Sequence, residues 1–186
     1  MPKKNNILGD KLFIAGAGGQ GILQLGRIIA QSACNEDMYT TYYPSYGAEV
    51  RGGVVNCTVI ISDKEIVSPV VIKPETIIIM NNPSIIKFTN KIYSCKLLLI
   101  NSSLISDFEQ KKCNKETLVI KIPASEIAQN VGDIRCANMV MLGAYIKIKK
   151  IFSKTTVISV IKEVFKSKPD IINFNIETLE KGYLYV

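Results

Sequence analysis

Short, nearly unbroken apolar runs alternate along this chain with segments of helical period, and that alternation limits the folds open to it. Lys11–Ala15 is apolar and stops at glycine. Ile22, Leu25, Ile29 and Ala33 then fall at steps of three and four, one face of a helix. Tyr39–Tyr43 predicts a second strand, ended by Pro44, and Val54–Ile61 a third, turning at Ser62-Asp63 before another apolar piece at Ile66-Val67. Thr76–Met80, Lys96–Ile100 and Glu116–Ile122 read as further strands, with a short helix over Pro83–Phe88. Helices are predicted for Ser125–Val131, for Asn138–Lys149 with Met139, Leu142, Ile146 and Gly143 turned inward, around Val157, Ile161, Val164 and Phe165 with a cap at Ser153 or Thr155, and for Ile171–Tyr183. Strands that are apolar throughout are buried on both faces. The expected fold is therefore a single Rossmann-like α/β domain over residues 1–186, mainly parallel, with helices on both faces of the sheet. A length of 186 residues, 47% of them hydrophobic, suits one full core.

Composition removes several chemistries. There is no histidine, so histidine bases, His-based triads and His-ligated metals are excluded. Cys34, Cys57, Cys95, Cys113 and Cys136 are scattered, odd in number and never spaced C-x-x-C. They read as small buried hydrophobes rather than a disulfide framework, a zinc site or a cluster ligand set. The formal charge of +7 rests almost wholly on lysine, with arginine only at positions 27, 51 and 135. That favours a solvated lysine surface over a nucleic-acid reader, which uses arginine forks and stacked aromatics. No apolar run reaches the roughly 18 residues of a membrane span, and no signal-peptide core follows the basic start, so a cytoplasmic location is expected.

Two polar segments stand out. Gly16, Gly18 and Gly21 form G-x-G-x-x-G between a strand and a helix, with Gly19 and Gln20 inside it. Such a loop serves either an anion held at the helix N-terminus or tight strand–helix packing alone. A dinucleotide site would want an acidic residue at the end of the second strand, which instead runs Thr41-Tyr42-Tyr43-Pro44; a free-standing nucleotide-binding enzyme is the weaker reading. No Walker lysine follows Gly21, so ATP hydrolysis is disfavoured. The second segment, 44–53, packs Ser45, Tyr46, Glu49, Arg51, Gly52 and Gly53 between two strands. Arg51 there forks onto a partner's carboxylate or phosphate, or pairs with Glu49 inside a self-satisfied loop.

Gly16-Ala-Gly-Gly-Gln-Gly21 followed by Pro-Ser-Tyr-Gly-Ala-Glu-Val-Arg-Gly-Gly at 44–53 resembles the gamma subunits of 2-oxoacid:ferredoxin oxidoreductases. Met80-Asn-Asn-Pro-Ser-Ile85 resembles the 2-oxoglutarate branch, and the segments starting at Asn101, Ile122, Asn138 and Asn175 also fit, in order along nearly the whole chain. Ala48 departs from the proline of many relatives. The resemblance implies a subunit of a complex that converts a 2-oxoacid and CoA to acyl-CoA and CO₂ while reducing ferredoxin. It implies alpha, beta and ferredoxin-like delta partners, with thiamine diphosphate, Mg and iron–sulfur clusters held on those partners. The chain itself is expected to bind no metal, to supply no catalytic residue and to be inactive alone. Its glycine loop would meet a CoA phosphate, while Ser45, Tyr46, Glu49, Arg51, Gly52, Gly53 and Asn138 would line an interface or channel. Pyruvate-, branched-chain- and indolepyruvate-type subunits, and a pure scaffold, are the alternatives.

Overall fold

A computed structural model of the chain describes residues 9–45, 53–106, 108–109 and 113–186. In chain order these form β1 (Asp10–Ala17), α1 (Ile22–Cys34), β2 (Tyr39–Ser45), β3 (Val54–Ser62), β4 (Thr76–Ile79), α2 (Asn82–Lys87), α3 (Thr89–Tyr93), β5 (Leu97–Asn101), β6 (Leu118–Ile122), α4 (Ala124–Val131), α5 (Ala137–Lys149), α6 (Lys154–Val164) and α7 (Pro169–Tyr185). A single 3₁₀ turn, Ile134–Cys136, precedes α5.

The six strands lie in the order β2-β3-β1-β4-β5-β6. β1, β4, β5 and β6 are parallel neighbours. β3 runs antiparallel between β1 and β2, so the sheet is mostly parallel with an antiparallel flank. The short β4 and β5 are buried at every position, as unbroken Ile and Leu runs require. Alternate residues feed two cores. Leu12, Ile14, Ile78 and Leu99 pack beneath α1, α4, α5, α6 and α7. Phe13, Ala15, Ile77, Ile79, Leu98 and Ile100 pack with Ile85 of α2 and Ile92 of α3 on the other face.

Local signals explain most boundaries. Ser153 caps α6 by accepting from the Thr156 N–H at 3.0 Å. Asn81 caps α2, whose first turn carries Pro83. Gly132, at φ 125°, closes α4. Two expectations change. β2 does not stop before Pro44 but runs to Ser45, because Pro44 sits on an edge strand where a missing N–H is tolerated. α5 is not merely amphipathic: Ala137–Ile146 is buried throughout, because α7 covers the side turned away from the sheet.

Candidate functional site

The chain leaves β1 through α1 toward β2 on one side of the sheet, and leaves β4 through α2 and α3 toward β5 on the other. Where the two directions part, at the carboxyl ends of β1 and β4, helices cannot close over the strand ends. This is where open α/β sheets hold ligands. A crevice of about 200 Å³ opens there, lined by Gly19, Gln20, Met80, Leu104, Ser125, Ile134, Arg135 and Ala137.

The glycine loop forms one wall. Gln20 folds back so that its Oε1 accepts the Ala17 N–H at 2.7 Å, and its Nε2 donates to the Met80 carbonyl at 3.4 Å. Gln20 is thereby the brace of the loop. Gly21 takes a left-handed φ of 68° at the head of α1 and brings no side chain to cap it. Asn138, buried at the start of α5, donates from Nδ2 to the Gly21 carbonyl at 3.1 Å, and a Cβ at position 21 would lie 2.9 Å from Asn138 Cγ. Glycine at 21 is thus required both by its backbone angle and by the close approach of α5. Gly16 is the penultimate residue of β1. Gly18 and Gly19 face outward: a Cβ on Gly18 would meet nothing nearer than Val55 Cγ2 at 4.0 Å, and one on Gly19 nothing within 4 Å.

Asn101, fully buried at the end of β5, stitches the floor. Its Nδ2 donates to Ser125 Oγ at 2.8 Å and to the Met80 carbonyl at 3.4 Å, and its Oδ1 accepts the Ser125 and Ser103 N–H groups at 3.3 Å. At the rim, Arg135 donates from Nε to both oxygens of Asp133, at 2.9 and 3.1 Å, and from its terminal nitrogen at 2.7 Å. That hydrogen-bonded guanidinium holds the Asp133 carboxyl below its usual range. Burial pushes the neighbouring Cys136 thiol up to about 11, so it is protonated and a poor nucleophile near neutral pH. Burial likewise lifts Cys57 and Cys95 to about 12. Among the described residues no group of histidine, cysteine and acidic side chains is arranged to hold a metal ion.

The structure brings together parts of both sequence segments. The Gly18 N–H meets the Gly53 carbonyl at 3.4 Å, so the end of the 44–53 segment abuts the glycine loop. Ser45 is the last residue of β2, opposite Asn56. Tyr46, Glu49, Arg51 and Gly52 lie outside the described residues. Met80, Leu104, Ser125, Ile134 and Arg135 joined the site only in three dimensions. Arg135 carried a sequence signal, being one of three arginines in a lysine-rich chain. The apolar rim residues carried none, since an exposed Leu or Ile looks like any other in sequence. A wider hollow of about 340 Å³, lined by Asp10, Lys11, Glu65, Val67 and Glu75 among others, lies at the opposite end of the strands. It is away from the helix N-terminus that makes the smaller crevice suited to an anion.

The sequence matches the pyruvate ferredoxin/flavodoxin oxidoreductase family over residues 11–185. It is 36% identical over 173 residues to the ketoisovalerate oxidoreductase subunit VorA of Methanothermobacter thermautotrophicus, covering 92% of this chain and 35% of that protein. The chain therefore spans about a third of the length of that relative. It is 31% identical to the 2-oxoglutarate synthase subunit KorC of Methanocaldococcus jannaschii, covering 98% of this chain and 97% of that one. Its fold superposes with a TM-score of 0.84 on a 2-oxoglutarate:ferredoxin oxidoreductase from Magnetococcus marinus, solved with 2-oxoglutarate, coenzyme A and succinyl-CoA bound, at 24% identity and over 95% of this chain and 31% of that one. The gamma subunit of a keto/oxoacid ferredoxin oxidoreductase from Geobacter sulfurreducens shares it at a TM-score of 0.77 and 22% identity, over 94% and 96% of the two chains. With a family match over nearly its full length, and a relative of the same size aligned end to end, this chain belongs to the pyruvate ferredoxin/flavodoxin oxidoreductase family.

Proposed function

We propose that the chain is the gamma subunit of a 2-oxoacid:ferredoxin oxidoreductase and that its 16–21 loop receives a phosphate of CoA. The observation that carries this reading is the N-terminus of α1, which has no side-chain cap and directly follows the loop whose Gly19 and Gln20 line the crevice, with clear space outside Gly18 and Gly19. Backbone N–H groups and the positive end of a helix favour an anion there. The Magnetococcus protein of the same fold was solved with coenzyme A bound. The complex would join CoA to the acyl group left when a 2-oxoacid loses CO₂, the electrons passing to ferredoxin. Alpha and beta partners would hold thiamine diphosphate, Mg and iron–sulfur clusters together with a ferredoxin-like delta subunit, all in the cytoplasm. We take 2-oxoglutarate as the substrate. The likeness to VorA favours a branched-chain 2-oxoacid as the second reading. Parallel assays of the complex with 2-oxoglutarate and 2-oxoisovalerate separate the two.

Gly18→Val tests the loop. Its Cβ enters open space, so the fold should survive while the phosphate's path is filled. In the assembled complex the KM for CoA should rise about tenfold or more, the worth of one hydrogen bond to a charged group. The KM for the 2-oxoacid should stay near the wild-type value. An unchanged KM for CoA rejects the loop as a CoA contact.

The 44–53 segment is the proposed contact toward the catalytic subunits, adjoining the crevice through Gly53. Arg51→Lys keeps the charge but loses the planar fork. Co-purification with the partner subunits, or specific activity, should fall clearly. An effect no greater than that of an exposed ion pair, at most about 1 kcal/mol, would make Arg51 a local feature of its loop.

A further inference from the structure

The two edges of the sheet are treated differently. At one end of the strand order, β6 carries the exposed charge of Lys121. At the other, β2 reads Tyr39-Thr40-Thr41-Tyr42-Tyr43-Pro44-Ser45 and has no charged side chain. Among the described residues its one guard against further pairing is Pro44, near its end. Natural sheets guard open edges with lysine, proline or bulges, and an uncharged, β-prone edge is a template for another strand.

The face of β2 adds to this. Tyr42 turns toward α1 and donates from its hydroxyl to the Leu23 carbonyl at 3.1 Å. By alternation Tyr39, Thr41 and Tyr43 point to the opposite face. On that face α2 and α3 pack over β1, β4 and β5, and Ile60 of β3, opposite Thr41, is itself only 7% exposed. Tyr39 and Tyr43 are 54% and 56% exposed. Between them, the Thr41 hydroxyl is shielded from solvent and has no hydrogen-bond partner among the described residues.

We propose that β2 is the interface for a second copy of this chain, the two β2 strands pairing antiparallel about a two-fold axis through Thr41. The sequence around Thr41 is symmetric in the sense such an axis needs. Tyr39 and Tyr43 stand two residues to either side, so each Tyr39 lies opposite Tyr43 of the second copy. Aromatic cross-strand pairs are among the stabilising ones in antiparallel sheets. Thr41 lies opposite itself on the axis. A different protein could also dock on an open edge, but nothing would then select the Tyr-x-Thr-x-Tyr symmetry. This inference concerns the chain by itself and stands apart from the CoA reading.

The test is the mass of the purified full chain by light scattering over a dilution series. The wild type should show twice the 20.6 kDa of one chain at high concentration and dissociate on dilution. Tyr39→Lys with Tyr43→Lys sets like charges opposite each other across the axis and should halve the mass, with an unchanged circular dichroism spectrum. Tyr39→Lys with Tyr43→Glu sets opposite charges in the same positions and should restore the dimer. That pair of variants reads the register, and the second carries the test if the first fails to fold. Leu118→Lys, on the far edge strand β6, should leave the mass doubled. A wild type that stays single at every concentration overturns the proposal. So does dispersal by Leu118→Lys, or a dimer indifferent to both tyrosine variants.

Discussion

Gly182→Ala is expected to destabilise the chain by more than about 3 kcal/mol, beyond the usual range for a single added methyl group. α7 crosses α5 with the two backbones in contact. A Cβ at Gly182 would collide with the Val140 carbonyl oxygen and lie 2.6 Å from its carbon. The relation is reciprocal: a Cβ at Gly143 would collide with the Leu179 carbonyl oxygen and lie 2.6 Å from the Tyr183 nitrogen. In both cases the obstacle is backbone, which cannot move aside as a flexible side chain can. The helices would have to part, and the contact they form buries Val140, Asn175, Thr178 and Leu179. Since domains are stable by only about 5–15 kcal/mol, a loss of this size exhausts much of the margin. Urea denaturation of Gly182→Ala and Gly143→Ala beside Gly18→Ala checks this. The first two should show a large drop in midpoint, while Gly18→Ala should match the wild type because its methyl group meets only open space. Equal midpoints for all three would contradict the close crossing.

The second large effect is at Asp10. This carboxylate is buried at the start of β1, where it accepts the Thr76 hydroxyl at 3.0 Å and the hydroxyl of the fully buried Tyr145 at 3.0 Å, and faces Lys149 Nζ at 3.3 Å. It thus ties β1, β4 and α5 together at the end of the sheet away from the crevice. Asp10→Ala would leave a buried phenol, a buried threonine and a largely covered ammonium without their acceptor. The expected cost is about 3 kcal/mol. Burial raises the Asp10 pKa above its ordinary 3.8, with Lys149 and the two hydroxyls pulling the other way. The folded chain therefore takes up this proton at a higher pH than the unfolded chain. The stability so gained is complete below 3.8 and is lost as pH rises through the raised native value. Asp10→Asn cannot titrate, so the wild type's advantage over it should widen as pH falls from neutrality toward 4. Denaturant midpoints of the two proteins at several pH values measure that difference. A gap that narrows on acidification would mean that Lys149, not burial, governs the group.

Neither Gly182 nor Asp10 announces its role in the sequence. Gly182 sits one residue before a tyrosine in a helix of ordinary pattern, and Gly9-Asp10-Lys11 reads as a polar prelude to a strand. The same holds for Asn101, three of whose four hydrogen bonds join it to Met80 and Ser125, more than 20 residues away in the chain.

What the sequence determined by itself was local. Short continuous Ile and Leu runs bounded by turn residues favour strands buried on both faces, and steps of three and four mark the helix face that turns inward. The mostly parallel sheet, the elements in order and the position of the glycine loop between β1 and α1 were legible for that reason. So was the start of α6, narrowed to a cap at Ser153 or Thr155, because capping is a matter of a few neighbouring residues. The tertiary structure decided what depends on partners distant in sequence. It inserted β3 antiparallel between β1 and β2 and left β2 as an edge, since hairpin and crossover pairings satisfy the same apolar pattern. It buried α5 on every side through α7, and it drew Met80, Leu104, Ser125, Ile134 and Arg135 around the loop to make the crevice. Apolar periodicity says which side of an element leaves water, and only long-range packing says what that side will meet.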